Sequence, residues 1–159
     1  MQIQVIAVGK IKEKFLQEGI AEYEKRLRPY VNLQIREIGE EKRPVAASVS
    51  TEKAAMEKEG ERILAAIPAG SFIMSLDVTG TSWSSPELAE FMRQRELSGM
   101  NQIVFVIGGD LGLSPGVLSR SNMRLSLSKM TFTHQIARFL LLEQIYRACR
   151  INSGEPYHK

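Results

Sequence analysis

Along residues 2–8 (QIQVIAV) and again along 102–107 (QIVFVI), apolar side chains run almost without interruption. Both read as strands, the second the strongest in the chain. A third run, Phe72 to Leu76, is broken only by Ser75, the pattern of an interior strand of a parallel sheet. Val31 to Ile38 instead alternates Val31, Leu33 and Ile35 against Asn32, Gln34 and Arg36, as a half-buried strand does. A last short β-type run, Met123 to Leu127, stops at the polar pair Ser128-Lys129. Helical patterns lie between these runs. Glu13 to Arg28 places Phe15, Leu16, Ile20, Tyr23 and Leu27 near helical spacing, and Pro29 closes it. Ser50 or Thr51 caps a second helix reaching Ile67, which Pro68 and Gly70 stop. Ser85 caps a third with Pro86 at its first position, running to about Leu97. Ser114-Pro115 opens a short one, and a helix of about twenty residues follows Ser128-Lys129 and ends near Ile151. Gly39 to Ser50 has no periodicity and carries a charge run beside a proline, so it reads as a mobile loop.

Strand and helix alternate to the end of the chain, which predicts an α/β fold. Its sheet is mostly parallel, with helices on both faces. Residues 1–159 read as a single domain. The last helix is unusual, because Ile136, Phe139, Leu140, Leu141, Leu142, Ile145, Tyr146 and Cys149 leave it no broad wet face. A helix apolar nearly all round must be covered on more than one side. One side is expected to face the chain's own sheet and the other a second copy, making a homodimer. Its polar strip is narrow, with Glu143 and Arg147 at i,i+4 and Arg150 beside them, and suggests an anion-binding edge.

Composition changes this picture little. Apolar content of 43% and charged content of 25% are ordinary for a globular protein. The opening MQIQVIAVGK is too short in apolar residues and lacks the basic leader of a signal peptide. No run approaches the roughly 18 apolar residues of a membrane span, so a cytoplasmic chain is expected. The single cysteine, Cys149, forbids an internal disulfide. Charge is more informative by position than in total. Residues 1–119 hold 14 lysines and arginines against 16 acids, whereas residues 120–159 hold 7 against 2. The basic end fits a polyanion-binding surface or a solvated helix end equally well.

Two histidines and one cysteine cannot supply a zinc site of ordinary spacing, and no metal is expected. No phosphate-binding GxxxxGK[ST] occurs, and Gly108-Gly109-Asp110-Leu111-Gly112 does not fit GxGxxG. Cys149 on a buried helix suits packing better than nucleophilic attack. In parallel sheets, ligands bind beyond the carboxyl ends of the strands. Three segments meet that description: Leu76-Asp77, Gly108-Gly109 and Leu127 to Phe132. The glycine pair either lets backbone approach a flat ligand or forms a plain tight turn. Leu76, Leu127, Met130 and Phe132 supply apolar walls. Such a site suits a reaction that needs alignment more than acid–base machinery.

The string SLSKMTFTHQ…LLEQIYRA…GEPYHK, with IGG…GLS upstream and IAVGKIKEKF…EYEKRL at the start, resembles the RlmH family across essentially the whole chain. These are small SPOUT-class methyltransferases that use S-adenosyl-L-methionine to methylate N3 of a pseudouridine in 23S ribosomal RNA. The resemblance implies a C-terminal trefoil knot, which periodicity alone does not suggest. It implies that Leu76, Gly108 and Leu127, Ser128, Lys129, Met130, Thr131 and Phe132 hold the methyl donor. It points to the large subunit or the assembled ribosome as partner. For the acceptor, Arg138, Arg147, Arg150 and Lys129 are candidate RNA contacts, and Tyr157 can stack on a base. His158 is either a frayed terminal histidine or, as the family's Tyr-His ending implies, an aid to loss of the N3 proton. Tyr157 and His158 are therefore the catalytic candidates, and His134 is structural or pocket-lining first.

Two positions depart from the family. Thr133 stands where relatives often carry proline, which is expected to loosen the first turn of the last helix. Asp110 follows the glycine pair, where its carboxylate either favours a sulfonium or faces water. Two other functions remain open from the residues alone. One is a non-catalytic RNA- or ribosome-binding protein, and the other a small α/β protein for a free nucleotide. The tail from Asn152 is expected to be mobile, with only Tyr157 as an anchor.

Overall fold

The computed structural model describes residues 1–159. Five strands and five helices alternate in the order β1 (Gln2–Val8), α1 (Lys14–Leu27), β2 (Asn32–Ile38), α2 (Val49–Ala66), β3 (Phe72–Ser82), α3 (Ser85–Leu97), β4 (Gln102–Ile107), α4 (Pro115–Arg120), β5 (Met123–Ser126) and α5 (His134–Asn152). All five strands are parallel, in the order β2-β1-β4-β3-β5.

The apolar runs of neighbouring β1, broken by the buried Gln4, and β4 send alternate side chains into two different cores. Ile3, Val5 and Ala7 join Ile103, Phe105 and Ile107 on the face covered by α1, α3 and α5. Ile6, Val8, Val104 and Val106 face α2 and α4. Each large side chain so buried contributes about 1.5–3 kcal/mol relative to exposure. Ser75, the one interruption in the β3 run, is fully buried and shares a hydrogen bond with the Ser121 hydroxyl.

The caps of α2 and α3 differ from expectation by one to three residues, for a local reason. Ser84, not Ser85, caps α3, because only Ser84 has an acid three residues on. Its hydroxyl accepts from Glu87 N while Glu87 accepts from Ser84 N. Ser48 caps α2, accepting from Thr51 N. Thr133 caps α5, accepting from Ile136 N at 3.3 Å. It therefore fixes the first turn of α5 rather than loosening it.

Two larger departures shape the site. β3 does not end at Leu76. Residues 77–80 leave the ladder and Thr81 rejoins it, so that Leu76 and Thr81 both pair with Leu125. Asp77 Oδ1 accepts from the Thr79 amide and hydroxyl and closes this excursion. Gly80 crosses the β5 backbone so closely that a Cβ would lie 2.6 Å from Arg124 O. The second departure concerns α5. Its flanks pack on α1 and α3 and its inner face on β4, so much of the apolar circumference is covered within one chain. No residue from His134 to Ile151 is fully exposed.

The first part of the expected mobile loop, Gly39 to Arg43, is tied down, whereas Val45 beyond it is fully exposed. Arg62 donates to Gly39 O and pairs with Glu41, Glu41 N donates to Glu59, and Arg43 pairs with Asp110. No helix is long and apolar enough to cross a membrane.

Candidate functional site

A cavity of about 1020 Å³ opens where β3, β4 and β5 end. The strand order puts the three segments of the sequence argument side by side: Leu76 from β3, Gly108 after β4, and 127–133 after β5. Of the donor candidates, Leu76, Gly108, Leu127, Ser128, Met130, Thr131 and Phe132 line this cavity, while Lys129 points to solvent at its rim. Ile107 and Leu125 extend the apolar wall. The β5–α5 turn is shaped by its serines: Ser128 Oγ accepts from Met130 N, and Ser126 Oγ donates to Ser128 O.

The glycine loop folds back on itself. Gly112 N donates to Gly109 O, Gly112 has φ +82°, and a Cβ on Gly108 would lie 2.7 Å from the Gly112 carbonyl carbon. Glycine at 108 is thus required by the loop's own backbone, not by the ligand space. The space is large enough for an adenosyl-sized ligand. Its apolar walls suit a flat heterocycle, and Glu13, Asp77 and Asp110 place carboxylates along it, suited to a cationic group.

Sequence reasoning missed one wall, Glu13, Phe15 and Leu16 at the start of α1. It also missed Glu59, which is 2% exposed behind the glycine loop. Glu59 Oε2 accepts from Glu41 N, whereas Oε1 is buried without a partner, near Gly109. Burial raises its carboxyl above the usual range, and the Glu41 N–H only partly offsets this. Glu40 and Asp110 raise it further, and Arg43 lowers it. A carboxyl raised in the folded state contributes stability at low pH that is lost as pH rises through its folded value. The melting temperature of Glu59→Gln relative to wild type should therefore improve from about pH 5 to about pH 8. A difference that stays flat across that range would show that the buried charge carries no such cost.

The arginine candidates are not brought to the cavity mouth as free cations. Arg138 is 3% exposed, donating to Glu37 at 2.7 Å and to Gly9 O at 3.1 Å. It staples α5 to the ends of β1 and β2, and reaching a phosphate would draw a buried arginine away from both its carboxylate and its carbonyl partner. Arg147 is held by Glu143 at 2.6 Å, and Arg150 by Glu155 at 2.5 Å and by the Tyr30 hydroxyl at 3.0 Å.

The tail, expected to be mobile, docks on its own chain. Tyr157 meets Tyr146 edge-on at 4.9 Å, lies 4.7 Å from the Arg147 guanidinium, and shares hydrogen bonds with Tyr23 and Glu143. Burial, with those two bonds, pushes its phenol well above the usual range, so it stays protonated. His158 Nδ1 lies 3.2 Å from Arg147 Nη1. Arginine only donates, so Nδ1 accepts and the ring proton sits on Nε2. These groups dock thirteen residues along α5 from the cavity-lining His134, about 20 Å away at 1.5 Å per residue. Cys149 is buried, and desolvation pushes its thiol up to about 11, which rules it out as a nucleophile near neutral pH.

Comparison with known proteins converges with this geometry. A family model described as "Predicted SPOUT methyltransferase" matches residues 1–158. The chain is 51% identical to the ribosomal RNA large subunit methyltransferase H of Clostridium acetobutylicum and 50% identical to that of Carboxydothermus hydrogenoformans. It is 62% identical to a Methanoregula boonei protein given the same name provisionally. Each alignment spans 159 residues and the whole of both chains. Among solved structures, a probable methylase family protein from Haemophilus influenzae Rd KW20 superposes with a TM-score of 0.53. It is 13% identical, and the match covers 99% of this chain and 70% of that one, a likeness of fold. With the family model spanning nearly every residue and full-length relatives at half identity or more, the chain belongs to the SPOUT methyltransferase family.

Proposed function

We propose that the protein is an S-adenosyl-L-methionine-dependent methyltransferase. It methylates N3 of a pseudouridine in 23S ribosomal RNA, on the large subunit or the assembled ribosome in the cytoplasm. The observation that carries the reading is the meeting of three strand ends in one apolar cavity with a backbone-lined glycine loop. Seven of the eight residues implied by the family resemblance line it.

When bound, the donor would supply an electrophilic methyl group on a sulfonium, open to direct attack at its carbon by N3 with a neutral thioether as the leaving group. Leu76, Leu127, Met130 and Phe132 would hold its flat ring, and the Gly108–Gly112 loop would bring backbone against it. Such a site acts by alignment, which is worth most when the leaving group departs neutral. The N3 proton must go to a base, and His158 is the candidate through Nδ1, its unprotonated ring nitrogen, once that atom parts from the Arg147 guanidinium.

Because the tail docks about 20 Å from its own cavity, the reading includes a homodimer in which Tyr157 and His158 serve the partner's site. It also includes the trefoil knot, with 127–133 threaded beneath a loop. The passage of Gly80 against the Arg124 backbone is compatible with such threading.

S-adenosyl-L-methionine and S-adenosylhomocysteine, but not NAD or ATP, should raise the melting temperature. Labelled methyl should enter 23S ribosomal RNA of ribosomes lacking this modification. Donor stabilisation without incorporation into any ribosomal RNA would overturn the acceptor assignment, and failure of both would overturn the reading.

A further inference from the structure

The arginines of α5 are occupied, so the cations available to a polyanion must lie elsewhere. Four unpaired lysines stand next to cavity-lining residues in the chain or beside Gly9, which neighbours the cavity-lining His134. Between β1 and α1 the chain reads GKIKEKF, and Lys10, Lys12 and Lys14 are exposed. Lys129, between Ser128 and Met130, is exposed too. None of these four takes part in an ion pair, whereas Arg138, Arg147 and Arg150 each do.

The same segments carry apolar side chains that face water. Phe15 is 66% exposed, Met130 77% and Phe132 40%, and all three line the cavity. The acids nearby are largely engaged. Asp110 pairs with Arg43, and Asp77 lies 3.9 Å from Arg124. Glu13 is the exposed carboxylate among the three lysines, and Glu40 lies beside Gly9 and His134.

We propose that Lys10, Lys12, Lys14 and Lys129, with Phe15 and Phe132 between them, form the surface that receives the RNA backbone and its unstacked bases at the cavity mouth. Ammonium groups without partners release counterions from phosphates at no cost in broken ion pairs. Exposed aromatic rings offer faces on which bases stack without sequence preference. The body of a second copy, as distinct from the partner's tail reaching into the cavity, is a poorer occupant of this patch. A two-fold contact through this patch would set each copy's lysines against the other's, while a nucleic acid brings the complementary charge. The inference rests on the proposed ribosomal RNA methyltransferase activity and relocates its RNA contacts from α5 to the β1–α1 segment.

The test compares wild type with the triple variant Lys10→Gln, Lys12→Gln, Lys14→Gln, its triple Lys→Arg counterpart, and Phe15→Ser. The probe is purified ribosomes lacking the modification. Binding is measured against salt separately from methyl transfer, so a failure of the enzymatic reading stays distinguishable from a failure of this surface. The triple Gln variant should bind ribosomes at least about tenfold more weakly, with the slope of log affinity against log salt reduced by about 2 to 3. Its melting temperature and its affinity for S-adenosylhomocysteine should stay unchanged, and the triple Arg variant should retain wild-type binding. Phe15→Ser should weaken binding several-fold with the salt slope intact. Wild-type affinity and slope in the triple Gln variant would overturn the assignment. So would a monomer from Phe15→Ser, since that would make the patch an interface between copies.

Discussion

Replacing Gly108 with valine is expected to abolish methyl-donor binding, with affinity for S-adenosylhomocysteine falling at least about a hundredfold, roughly 2.7 kcal/mol. The cause lies in the loop itself. A Cβ at 108 would stand 2.7 Å from the Gly112 carbonyl carbon, 2.8 Å from its oxygen and 3.1 Å from Leu113 Cδ2. Backbone cannot yield as a flexible side-chain end can, so the loop must open. With it would go the Gly112-to-Gly109 hydrogen bond and the left-handed turn at Gly112. Alanine should already weaken binding, because the first methyl makes the clash, and valine should finish it. The fold should survive, since the two cores are built by the strand residues before 108. Calorimetry with S-adenosylhomocysteine on a variant with wild-type circular dichroism is the measurement. Normal binding would place the donor elsewhere.

How far the chain could be read in advance depended on how local each determinant is. The strand–helix alternation and the Phe72–Leu76 run announce a doubly covered parallel sheet, because burial on both faces removes polar alternation within the strand itself. The β3 excursion was half legible. Asp77, Thr79 and Gly80 do make a turn, but only pairing with Leu125 reveals that the strand resumes at Thr81. The α3 cap was written in the sequence as Ser84-x-x-Glu87. Arg138 could not be placed from its helix, because its partner Glu37 lies 101 positions away. Tyr157 likewise looked unanchored until the fold brought Tyr23, Tyr146 and Glu143 around it. Phe15 and Glu13 were missed because β1 was not counted among the strand ends that reach the site. The sheet order sets β1 beside β4, and that adjacency is a long-range property. The apolar circumference of α5 required cover on several sides; α1 and α3 supply part of it, and the partly exposed Ile136, Phe139 and Leu140 are the part left to the proposed second copy.

Removing Tyr157 to Lys159 should separate structure from chemistry at the other end of α5. Methyl transfer is expected to fall at least about a hundredfold, a plausible scale for lost positioning, with donor affinity unchanged. The melting temperature should fall by a few degrees. The Tyr157 ring packs on Tyr146 and its hydroxyl bonds Glu143 at 3.0 Å, and about 1 kcal/mol lost shifts a domain of this size by about 2–4 °C. The mass by light scattering should match that of the untruncated chain, because the tail packs on its own chain's α1 and α5. A catalytic role in the tail's own site conflicts with the geometry. Tyr157 and His158 are held at Glu143 and Arg147, about 20 Å along the helix from the cavity end at His134. A second copy with its α5 running the opposite way would bring each tail to the other's cavity. Mixing the truncated chain with a Gly108→Val chain should then restore partial activity. In each mixed dimer, the truncated chain's intact donor loop receives the tail of the variant chain. Inactive mixed dimers with verified subunit exchange would return the tail to its own chain's cavity, and full activity of the truncated chain alone would remove Tyr157 and His158 from the reaction.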